Sequence, residues 1–491
     1  MTDRNVLAAD LGAESGRLML GTFDGSRIRL REIHRFATGF DASETGRRWN
    51  VPRLLNELRA GIEKARGECA LATLGIDTWG VDGGFLDGNG ELCALPFAYR
   101  EFTEQNMQAC QAAMGGADRL YDLTGVQHMP FNTAYQFFAL REKNDPTLAR
   151  ADKFLFMPDL LRYLLTGCMV AEETIASTSQ MLDPHTRTWC EPVLRTLGVE
   201  PGLFAALTAP GAPSGATVKG TGIQSVSVAG HDTGSAVAAV PAEQGTRWAF
   251  LSSGTWSILG VESEEPIMTA QARKLGIGNE WGVEKTYRVL RNIMGLWILQ
   301  GCKRALAERG NELDYPALVK EAEAAEPFAF LIDVDDLRFF APDDMQAEVE
   351  GYCRETGQGR PASVGALVRC VLESLALRYA DVLHRFDEVI GQPVEVLHVI
   401  GGGVQNELLC RMTADACGVP VVAGPVEATA AGNVIVQLMA TGQVADRFQG
   451  RRIIADSFDP VRYEPEQRAA WEQAGARLRT LCAQQKETSH G

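Results

Sequence analysis

The stretch of the chain best suited to chemistry is residues 230–235, which read Gly-His-Asp-Thr-Gly-Ser. The alternating run before it, Ser225–Ala229, predicts a strand, and the small residues at 236–239 predict the start of a helix. A carboxylate at the end of a strand, beside a His and a Thr, lies where α/β proteins usually carry chemistry, and Asp232 there would serve as a base. The alternative is that Asp232 or Thr233 caps the following helix.

A second stretch has the residue types of a phosphate site. Residues 10–17 read Asp-Leu-Gly-Ala-Glu-Ser-Gly-Arg between two strand-like runs, 6–9 and 18–23, which predicts a glycine hairpin. It is neither a P-loop nor a dinucleotide fingerprint, because both of those lead into a helix. Backbone N–H groups of such a hairpin can surround phosphate oxygens, and Asp10 is placed to hold Mg²⁺ through water. The alternative is a hairpin without a ligand.

The next strand, residues 73–82, ends in Asp-Thr-Trp-Gly-Val-Asp. Trp79 with carboxylates on either side suits a sugar, because an indole covers the apolar face of the ring and carboxylates accept from hydroxyls. The alternative is a core Trp with surface Asp residues. Residues 87–90, Asp-Gly-Asn-Gly, predict a hairpin turn.

The first hairpin has a counterpart about half a chain later. Residues 248–251 predict a strand, 252–257 (Ser-Ser-Gly-Thr-Trp-Ser) a polar turn, and 258–261 a returning strand. Two such hairpins predict two related domains that face each other across a cleft.

The remaining pattern predicts an α/β protein. We expect mostly helix over 102–200, including a helix from Met157 to Leu165 and a polar loop at Thr174–Leu182. Further along, the predicted elements are a strand at 287–290, a helix from Asn292 to about Glu308, a helix at 371–389, a strand at 394–400 before three glycines, a helix at 405–417, a loop and helix start at 424–433, and a charged helix from Glu464.

Composition excludes some classes of function. The chain has 491 residues and a formal net charge of −16, which disfavours a nucleic-acid binder. No apolar run reaches the roughly 20 residues of a membrane span, and the first residues show no signal-peptide pattern, so we expect a cytoplasmic protein. Eleven scattered cysteines and seven histidines form no metal-ligand spacing, which predicts free thiols.

Taken together, the motifs resemble the FGGY carbohydrate kinases of the actin/hexokinase superfamily from Asn5 to about Phe458. The segments that carry the resemblance are 10–17, 75–82, 231–233, 251–257, 292–297 (Asn-Ile-Met-Gly-Leu-Trp), 401–406 (Gly-Gly-Gly-Val-Gln-Asn) and 423–428 (Ala-Gly-Pro-Val-Glu-Ala).

The resemblance implies two RNase H-like (actin-like ATPase) domains with ATP and sugar in a cleft between them. The expected division is an N-terminal domain at 1–243, a nucleotide-binding domain at 244–460, and a helix with a polar tail at 461–491. The resemblance also implies ATP, Mg²⁺ and transfer of the γ-phosphate to the 1-hydroxyl of L-rhamnulose. A chain of this size with a self-contained cleft could act alone, so we expect a monomer.

The family's site residues carry over to matching positions of this chain. The resemblance implies that Asp232 is the proton acceptor. The residues implied to contact ATP are Ala13, Glu14, Ser15, Gly16, Arg17, Thr255, Gln300 and Gly402. Those implied to contact the sugar are Gly80, His231, Asp232, Thr233 and Asn292.

Some alternatives stay open. Gly83-Gly84 and Arg100–Thr103 depart from the family pattern, and the first pair would lie beside the sugar, so the substrate could be another ketose such as L-fuculose or xylulose, or a polyol such as glycerol. A sugar sensor that binds nucleotide without transfer is a further alternative, although a dead protein would be expected to have lost Asp10 or Asp232. Cys353 and Cys370 occupy positions where the family can carry a cysteine pair.

Overall fold

The structure is a computed structural model, and it describes residues 4–43, 46–340 and 342–488. The predictions for the first three residues and for the polar end of the tail, residues 489–491, lie outside the described residues. The chain divides into two compact units. The first comprises residues 1–244, 262–289 and 428–458, and the second comprises 245–261, 290–427 and 459–491. The predicted domain division at residues 243 and 460 stays a prediction.

The described strands are short and number 21. They are β1 Arg4–Leu11, β2 Ser15–Phe23, β3 Ile28–Ala37, β4 Phe40–Ser43, β5 Gly46–Trp49, β6 Thr73–Thr78, β7 Gly83–Leu86, β8 Lys153–Phe156, β9 Ala171–Glu172, β10 Leu182–Asp183, β11 Thr188–Trp189, β12 Leu207–Thr208, β13 Pro213–Thr217, β14 Gln224–Val226, β15 Trp248–Ser253, β16 Trp256–Ser263, β17 Gly278–Trp281, β18 Tyr287–Met294, β19 Val396–Ile400, β20 Val421–Ala423 and β21 Val461–Tyr463.

Eighteen α-helices are described with them. They are α1 Val51–Glu68, α2 Glu104–Ala113, α3 Ala117–Thr124, α4 Thr133–Glu142, α5 Pro146–Arg150, α6 Met157–Thr166, α7 Glu173–Ala176, α8 Glu191–Leu197, α9 Asp232–Ala238, α10 Ala270–Lys274, α11 Trp297–Glu308, α12 Tyr315–Ala324, α13 Met345–Glu355, α14 Val364–Ile390, α15 Glu407–Cys417, α16 Ala428–Ala440, α17 Arg447–Ser457 and α18 Arg468–Thr488.

The first unit is built on a six-stranded sheet of order β13-β14-β6-β1-β2-β3. Strands β1 and β2 form the predicted antiparallel hairpin, and β6 runs parallel to β1. Helix α1 buries one face, at positions Val51, Leu54, Leu58 and Ile62, whose spacing of three and four places them on one side of a helix. Each such buried side chain contributes about 1.5–3 kcal/mol to folding.

Helix α16 packs closely on strands of this sheet, and small residues make the approach possible. A Cβ at Gly21 of β2 would lie 2.6 Å from a methyl of Val434, and one at Gly75 of β6 would lie 2.5 Å from the Asn433 side chain. A Cβ at Gly432 would collide with the carbonyl oxygen of Ser235, so α16 also touches α9. Helix α9, which begins at Asp232, is therefore anchored to the sheet through α16.

The second unit has its own mixed sheet, in which β18, β16, β15, β19, β20 and β21 are neighbours in that order. Strands β15 and β16 are antiparallel, as the second predicted hairpin requires, and β19 is parallel to β15. The long helix α14 is largely buried, begins at the cap Ser363 and ends at Gly391, whose φ of 73° is the left-handed conformation that favours glycine.

Three predicted elements are wrong in type or extent. The predicted loop Thr174–Leu182 is mostly helical, because the Glu172 carboxylate accepts from Thr174 N and Ile175 N and caps α7, and a 3-10 turn follows at Ser177–Ser179. Residues 292–294 belong to strand β18, which lies beside β16, so the helix begins at Trp297. The strand predicted at 225–229 is β14, which spans Gln224–Val226.

Candidate active site

The turn of the first hairpin is braced by strand β3 and by the residue after it. Gly12 N donates to Ser15 O at 2.9 Å across the turn. The buried Thr38 donates from Oγ1 to Gly12 O at 2.7 Å and from its backbone N to Glu14 O at 3.2 Å. A Cβ at Gly16 would lie 2.5 Å from the Phe36 ring, which explains a glycine there. The predicted phosphate segment, Ala13–Arg17, is thus a fixed turn with Glu14 and Ser15 exposed.

Charged groups meet at the base of this hairpin. Arg17 Nη2 lies 2.8 Å from Asp10 Oδ2, and Asp10 is opposite Asp77 in the parallel register of β1 and β6. Asn433 Nδ2 donates to Asp77 Oδ2 at 2.5 Å, while Asp77 Oδ1 is buried and has no hydrogen-bond partner among the described residues. Burial, followed by the charge of Asp10, holds the pKa of Asp77 well above its usual range.

Asp232 is the first residue of α9 and stands in the field of the same carboxylates. Its Oδ1 accepts from Thr233 N at 2.6 Å and from Thr233 Oγ1 at 3.2 Å. Burial and the charge of Asp10 raise the pKa of Asp232, and the neighbouring His231 opposes the shift. The alternative that Asp232 or Thr233 is the helix cap is wrong, because the N-cap residue is His231 and its side chain makes no capping bond.

The loop that carries His231 is aligned with the end of β6. Thr78 N donates to Gly230 O at 2.8 Å, and Thr78 forms a parallel bridge with His231. A Cβ at Gly80 would lie 3.2 Å from His231 Nε2, so a larger residue at 80 would crowd the imidazole. The structure therefore brings Gly80, His231, Asp232 and Thr233 together in the first unit. Trp79 N donates to Leu11 O at 3.1 Å, which connects this group to the first hairpin.

Two fully buried residues that contact this loop were not predicted from the sequence to do so. Glu172 Oε2 accepts from Gly230 N at 2.8 Å, and Thr174 Oγ1 accepts from His231 N at 3.3 Å. Burial raises the pKa of Glu172 to about 8. These side chains fix the backbone just before Asp232. The acidic pair Glu172-Glu173 before a Thr is a capping pattern, and that was the only signal available in the sequence.

The turn after β6 is buried rather than open. Trp79 is 5% exposed, and its Nε1 donates to Asp82 Oδ2 at 3.0 Å. Asp82 also accepts from Trp49, Gln136 and the backbone of Tyr99, and burial raises its pKa to about 7 despite these bonds. Trp79 is therefore a core residue, as the alternative held, whereas its expectation of surface Asp residues is wrong for Asp77 and Asp82, both of which are fully buried.

Val81, at the centre of that turn, has a strained backbone. Its φ is 68°, a left-handed value that β-branched residues rarely adopt, and Asp82 N donates to Gly80 O across it at 2.9 Å. Thr178 Oγ1 accepts from Val81 N, and Thr133 Oγ1 donates to Val81 O at 2.6 Å. Neighbouring hydroxyls thus hold the strained conformation next to Gly80.

The other predicted nucleotide residues meet around the second hairpin, in the second unit. Thr255 lies in its turn, where Leu296 N donates to Gly254 O at 2.9 Å and Trp297 N to Thr255 O at 3.1 Å. The start of α11, which carries Gln300, is thereby attached to the turn.

The glycine loop after β19 packs on the same hairpin. A Cβ at Gly403 would lie 2.0 Å from Ser253 Oγ, whereas one at Gly402 would meet nothing within 4 Å, so Gly402 stays open to a ligand. Asn292, the remaining predicted sugar residue, lies on β18 in the second unit.

Cys353 and Cys370, which occupy the positions where the family can carry a cysteine pair, are free and buried in the second unit. A hydrogen bond with Cys353, together with burial, raises the pKa of the Cys370 thiol. Among residues 4–43, 46–340 and 342–488, no three Asp, Glu, His or Cys side chains form a ready metal cluster. In the same residues no helix is long and apolar enough to cross a membrane.

The fold is that of two-domain, actin-like ATPase kinases. A xylulose kinase from Rhodospirillum rubrum superposes with a TM-score of 0.79 at 14% identity, covering 99% of this chain and all of that one. Gluconate kinase from Lactobacillus acidophilus gives 0.78 at 13% identity over 98% of both chains. Plasmodium falciparum glycerol kinase with ADP gives 0.77 at 13% identity over 99% and 98%.

Sequence comparison narrows this class to one family. Residues 6–239 match the N-terminal domain of the FGGY family of carbohydrate kinases, and residues 249–441 match its C-terminal domain. The rhamnulokinase of Bacteroides thetaiotaomicron is 43% identical over 482 residues, which is 96% of this chain and 98% of that protein. The chain belongs to the FGGY family of carbohydrate kinases. It is an enzyme that uses ATP as phosphate donor for a sugar.

Proposed function

We propose that this kinase transfers the γ-phosphate of ATP to the 1-hydroxyl of L-rhamnulose in L-rhamnose catabolism, with Asp232 as general base. The observation that carries the mechanism is the position of Asp232 at the start of α9, beside His231 and in the electrostatic field of Asp10. The choice of sugar is supported by 43% identity to the rhamnulokinase of Bacteroides thetaiotaomicron.

Asp232 has the properties that this role needs. It keeps 30% of its side chain exposed, so a ligand can reach it, and its raised pKa makes it a stronger base than an ordinary carboxylate. Asp232 would accept the proton of the sugar hydroxyl as the hydroxyl oxygen attacks the γ-phosphorus in line. Phosphoryl transfer otherwise needs positioning and charge stabilisation.

We assign the two hairpins to ATP. Ala13, Glu14, Ser15, Gly16 and Arg17 form the first turn. Its rigidity, which comes from Thr38, suits a phosphate-binding backbone. Thr255, Gln300 and Gly402 are grouped around the second hairpin, where Gly402 leaves space for a ligand to approach the backbone.

Mg²⁺ fits the donors at the base of the first hairpin. Mg²⁺ in phosphoryl-transfer sites uses one or two carboxylates together with phosphate oxygens and water, so a ready cluster of three protein ligands is not required. Asp10, through water, would hold the ion, and the unpartnered buried Asp77 Oδ1 beside it is an oxygen that a hydrated cation would satisfy. When bound, the ion neutralises charge on the phosphates.

We assign Gly80, His231, Thr233 and Asn292, with Asp232, to the sugar. The small residue at 80 and the buried Glu172–Thr174 support keep the His231–Thr233 segment in one position. Gly83, which departs from the family pattern, is fully packed, since a Cβ there would lie 2.4 Å from Leu155 O.

We also propose that the enzyme works in the cytoplasm as a monomer. Sedimentation equilibrium with and without ATP would test the assembly, and a stable dimer would contradict it.

The substrate assignment is tested by measuring ADP release with a panel of ketoses and polyols at equal concentration. We expect kcat/KM to be highest for L-rhamnulose and much lower for L-fuculose, xylulose and glycerol. Equal values for two ketoses would contradict the proposed substrate and leave the kinase activity established.

A further inference from the structure

The imidazole of His231 is held from behind by two side chains that lie outside the sugar and ATP assignments. His231 Nδ1 is 3.0 Å from Glu280 Oε2, and both terminal nitrogens of Arg288 lie 3.2 Å from the same Nδ1. On the other side of the ring, Nε2 is 3.3 Å from Asp232 Oδ1. The ring therefore connects a buried ion pair with the proposed base.

The ion pair is rigid. Arg288 is fully buried, its Nε donates to Trp281 O at 3.0 Å, and its Nη2 lies 3.0 Å from Glu280 Oε2. Trp281 N in turn donates to Ser177 Oγ at 2.8 Å. Although burial pushes the pKa of Glu280 upward, the charge of Arg288 brings it below its usual value, so Glu280 is ionised. A paired, hydrogen-bonded charge of this kind has little freedom to move.

We infer that Glu280 and Arg288 are positioning residues that hold the His231 ring with a protonated Nε2 toward Asp232, so that the imidazole donates to Asp232. This inference rests on the proposed function in that it takes Asp232 as the base.

The groups around the ring favour a proton on Nε2 over a ring that carries its only proton on Nδ1. With the proton on Nε2, the ring donates to the Asp232 carboxylate and Nδ1 accepts from the Arg288 guanidinium. Its single unfavourable contact is then the Nδ1 lone pair facing Glu280. With the proton on Nδ1, only the contact with Glu280 is favourable, while a lone pair faces Asp232 and an N–H faces the guanidinium, which can only donate.

The arrangement decides which oxygen of the base is available. Among the described residues, the hydrogen bonds to Asp232 from Thr233 N and Thr233 Oγ1 and the contact with His231 Nε2 all involve Oδ1. Asp232 Oδ2 is therefore left for the sugar hydroxyl. A ring that turned or changed tautomer would release Oδ1 and let the carboxylate rotate.

The wild-type enzyme tests the inference without any substitution. In ¹⁵N-labelled protein, the two ring nitrogens of His231, assigned by comparison with His231→Gln, report which one carries the proton. We expect a protonated Nε2. A protonated Nδ1 with a bare Nε2, or a ring that exchanges freely between both tautomers, would overturn the inference.

Two conservative variants test the consequence for turnover. Arg288→Lys keeps the charge but loses the fork of two N–H groups, and Glu280→Gln keeps the shape but loses the charge. We expect Arg288→Lys to move His231 toward the Nδ1–H tautomer and to lower kcat by up to about 100-fold, the loss that a misplacement of about 1 Å causes, with KM for ATP unchanged. Glu280→Gln should keep the Nε2–H tautomer, because it removes the only unfavourable contact, and lower kcat less.

Arg187→Lys is the matched control. Arg187 packs over the Trp281 ring at 4.1 Å and pairs with Glu173 at 2.8 Å, so it shares the surroundings of Arg288 without touching His231. We expect it to keep both kcat and the tautomer. Equal kcat in Arg187→Lys and Arg288→Lys would overturn the inference. If Asp232→Asn retained turnover while the tautomer of His231 was as stated, the base assignment would fail and the positioning of the ring would stand.

Discussion

The two hairpins have the same backbone design and opposite chemical surroundings. The turn between β1 and β2 lies above carboxylates and a guanidinium: Asp10 paired with Arg17, the buried Asp77, and Asp232, whose pKa is raised by burial and by the charge of Asp10. The turn between β15 and β16 is surrounded by hydroxyls and backbone groups, including Ser257 Oγ at 2.7 Å from Tyr379 Oη. Burial raises the pKa of Tyr379 to about 12, so that neighbour stays neutral. The first hairpin thus has beside it the charged groups that the proposed proton transfer needs, and the second has hydroxyl and backbone groups that suit the proposed nucleotide binding.

We expect the largest effect from substituting Asp232, the proposed base near the first hairpin. Asp232→Asn should lower kcat by about 10²–10⁴-fold, because an amide cannot accept the proton of the sugar hydroxyl. Sugar binding, measured by calorimetry, should persist, since the Thr233 backbone can still donate to the side-chain oxygen.

Asp118→Asn is the control for that substitution, because its side chain is 79% exposed on the surface. It should leave kcat unchanged. If the kcat of Asp232→Asn stayed within a few-fold of the wild-type value, Asp232 would not be the base.

The second prediction concerns the packing of the glycine loop after β19 on the second hairpin. Gly403→Ala should destabilise the protein by about 1–3 kcal/mol, since the new Cβ would lie 2.0 Å from Ser253 Oγ in a packed contact. A Cβ at Gly402, one residue earlier, meets no atom of the described residues within 4 Å, so Gly402→Ala should keep the wild-type free energy of unfolding. Urea denaturation of both variants measures this, and equal stabilities would show that the loop does not clamp the hairpin.

The third prediction uses pH. The folded pKa of Asp82 is about 7, above its ordinary value near 3.8, so between about pH 4 and 7 the folded protein keeps a proton that the unfolded chain has lost. Stability therefore falls as pH rises through this window, by at most about 1.4 kcal/mol per pH unit from this group. The free energy of unfolding of Asp82→Asn, measured by urea denaturation at pH 5, 6 and 7, should fall less steeply with rising pH than that of the wild type. An unchanged slope of stability against pH would show that Asp82 is not the group that titrates in this range.

The sequence predicted both hairpins because local signals define them. Glycines and small polar residues between alternating runs leave few other structures for residues 4–23 and 248–263. Helices α6 and α15 were similarly predictable, from a Pro near the start of one and glycines before the other.

The misses have a common physical cause, which is that partners distant in sequence decide the outcome. Asn292 lies in a strand because β18 has β16 beside it, and no local pattern shows this neighbour. Val81 adopts a left-handed backbone because Thr133 and Thr178, which are 52 and 97 residues away, hydrogen-bond to it. Glu280 and Arg288 contact His231 over 49 and 57 residues, so the support of the imidazole could be seen only in the fold.

The division of labour between the hairpins is tested most directly by kcat and KM for ATP in Asp232→Asn and Thr255→Ala, measured side by side. The account predicts that Asp232→Asn loses kcat with little change in KM for ATP, whereas Thr255→Ala raises KM for ATP and keeps kcat within a few-fold. If both variants moved the same parameter, the two hairpins would share one role and the account would be contradicted.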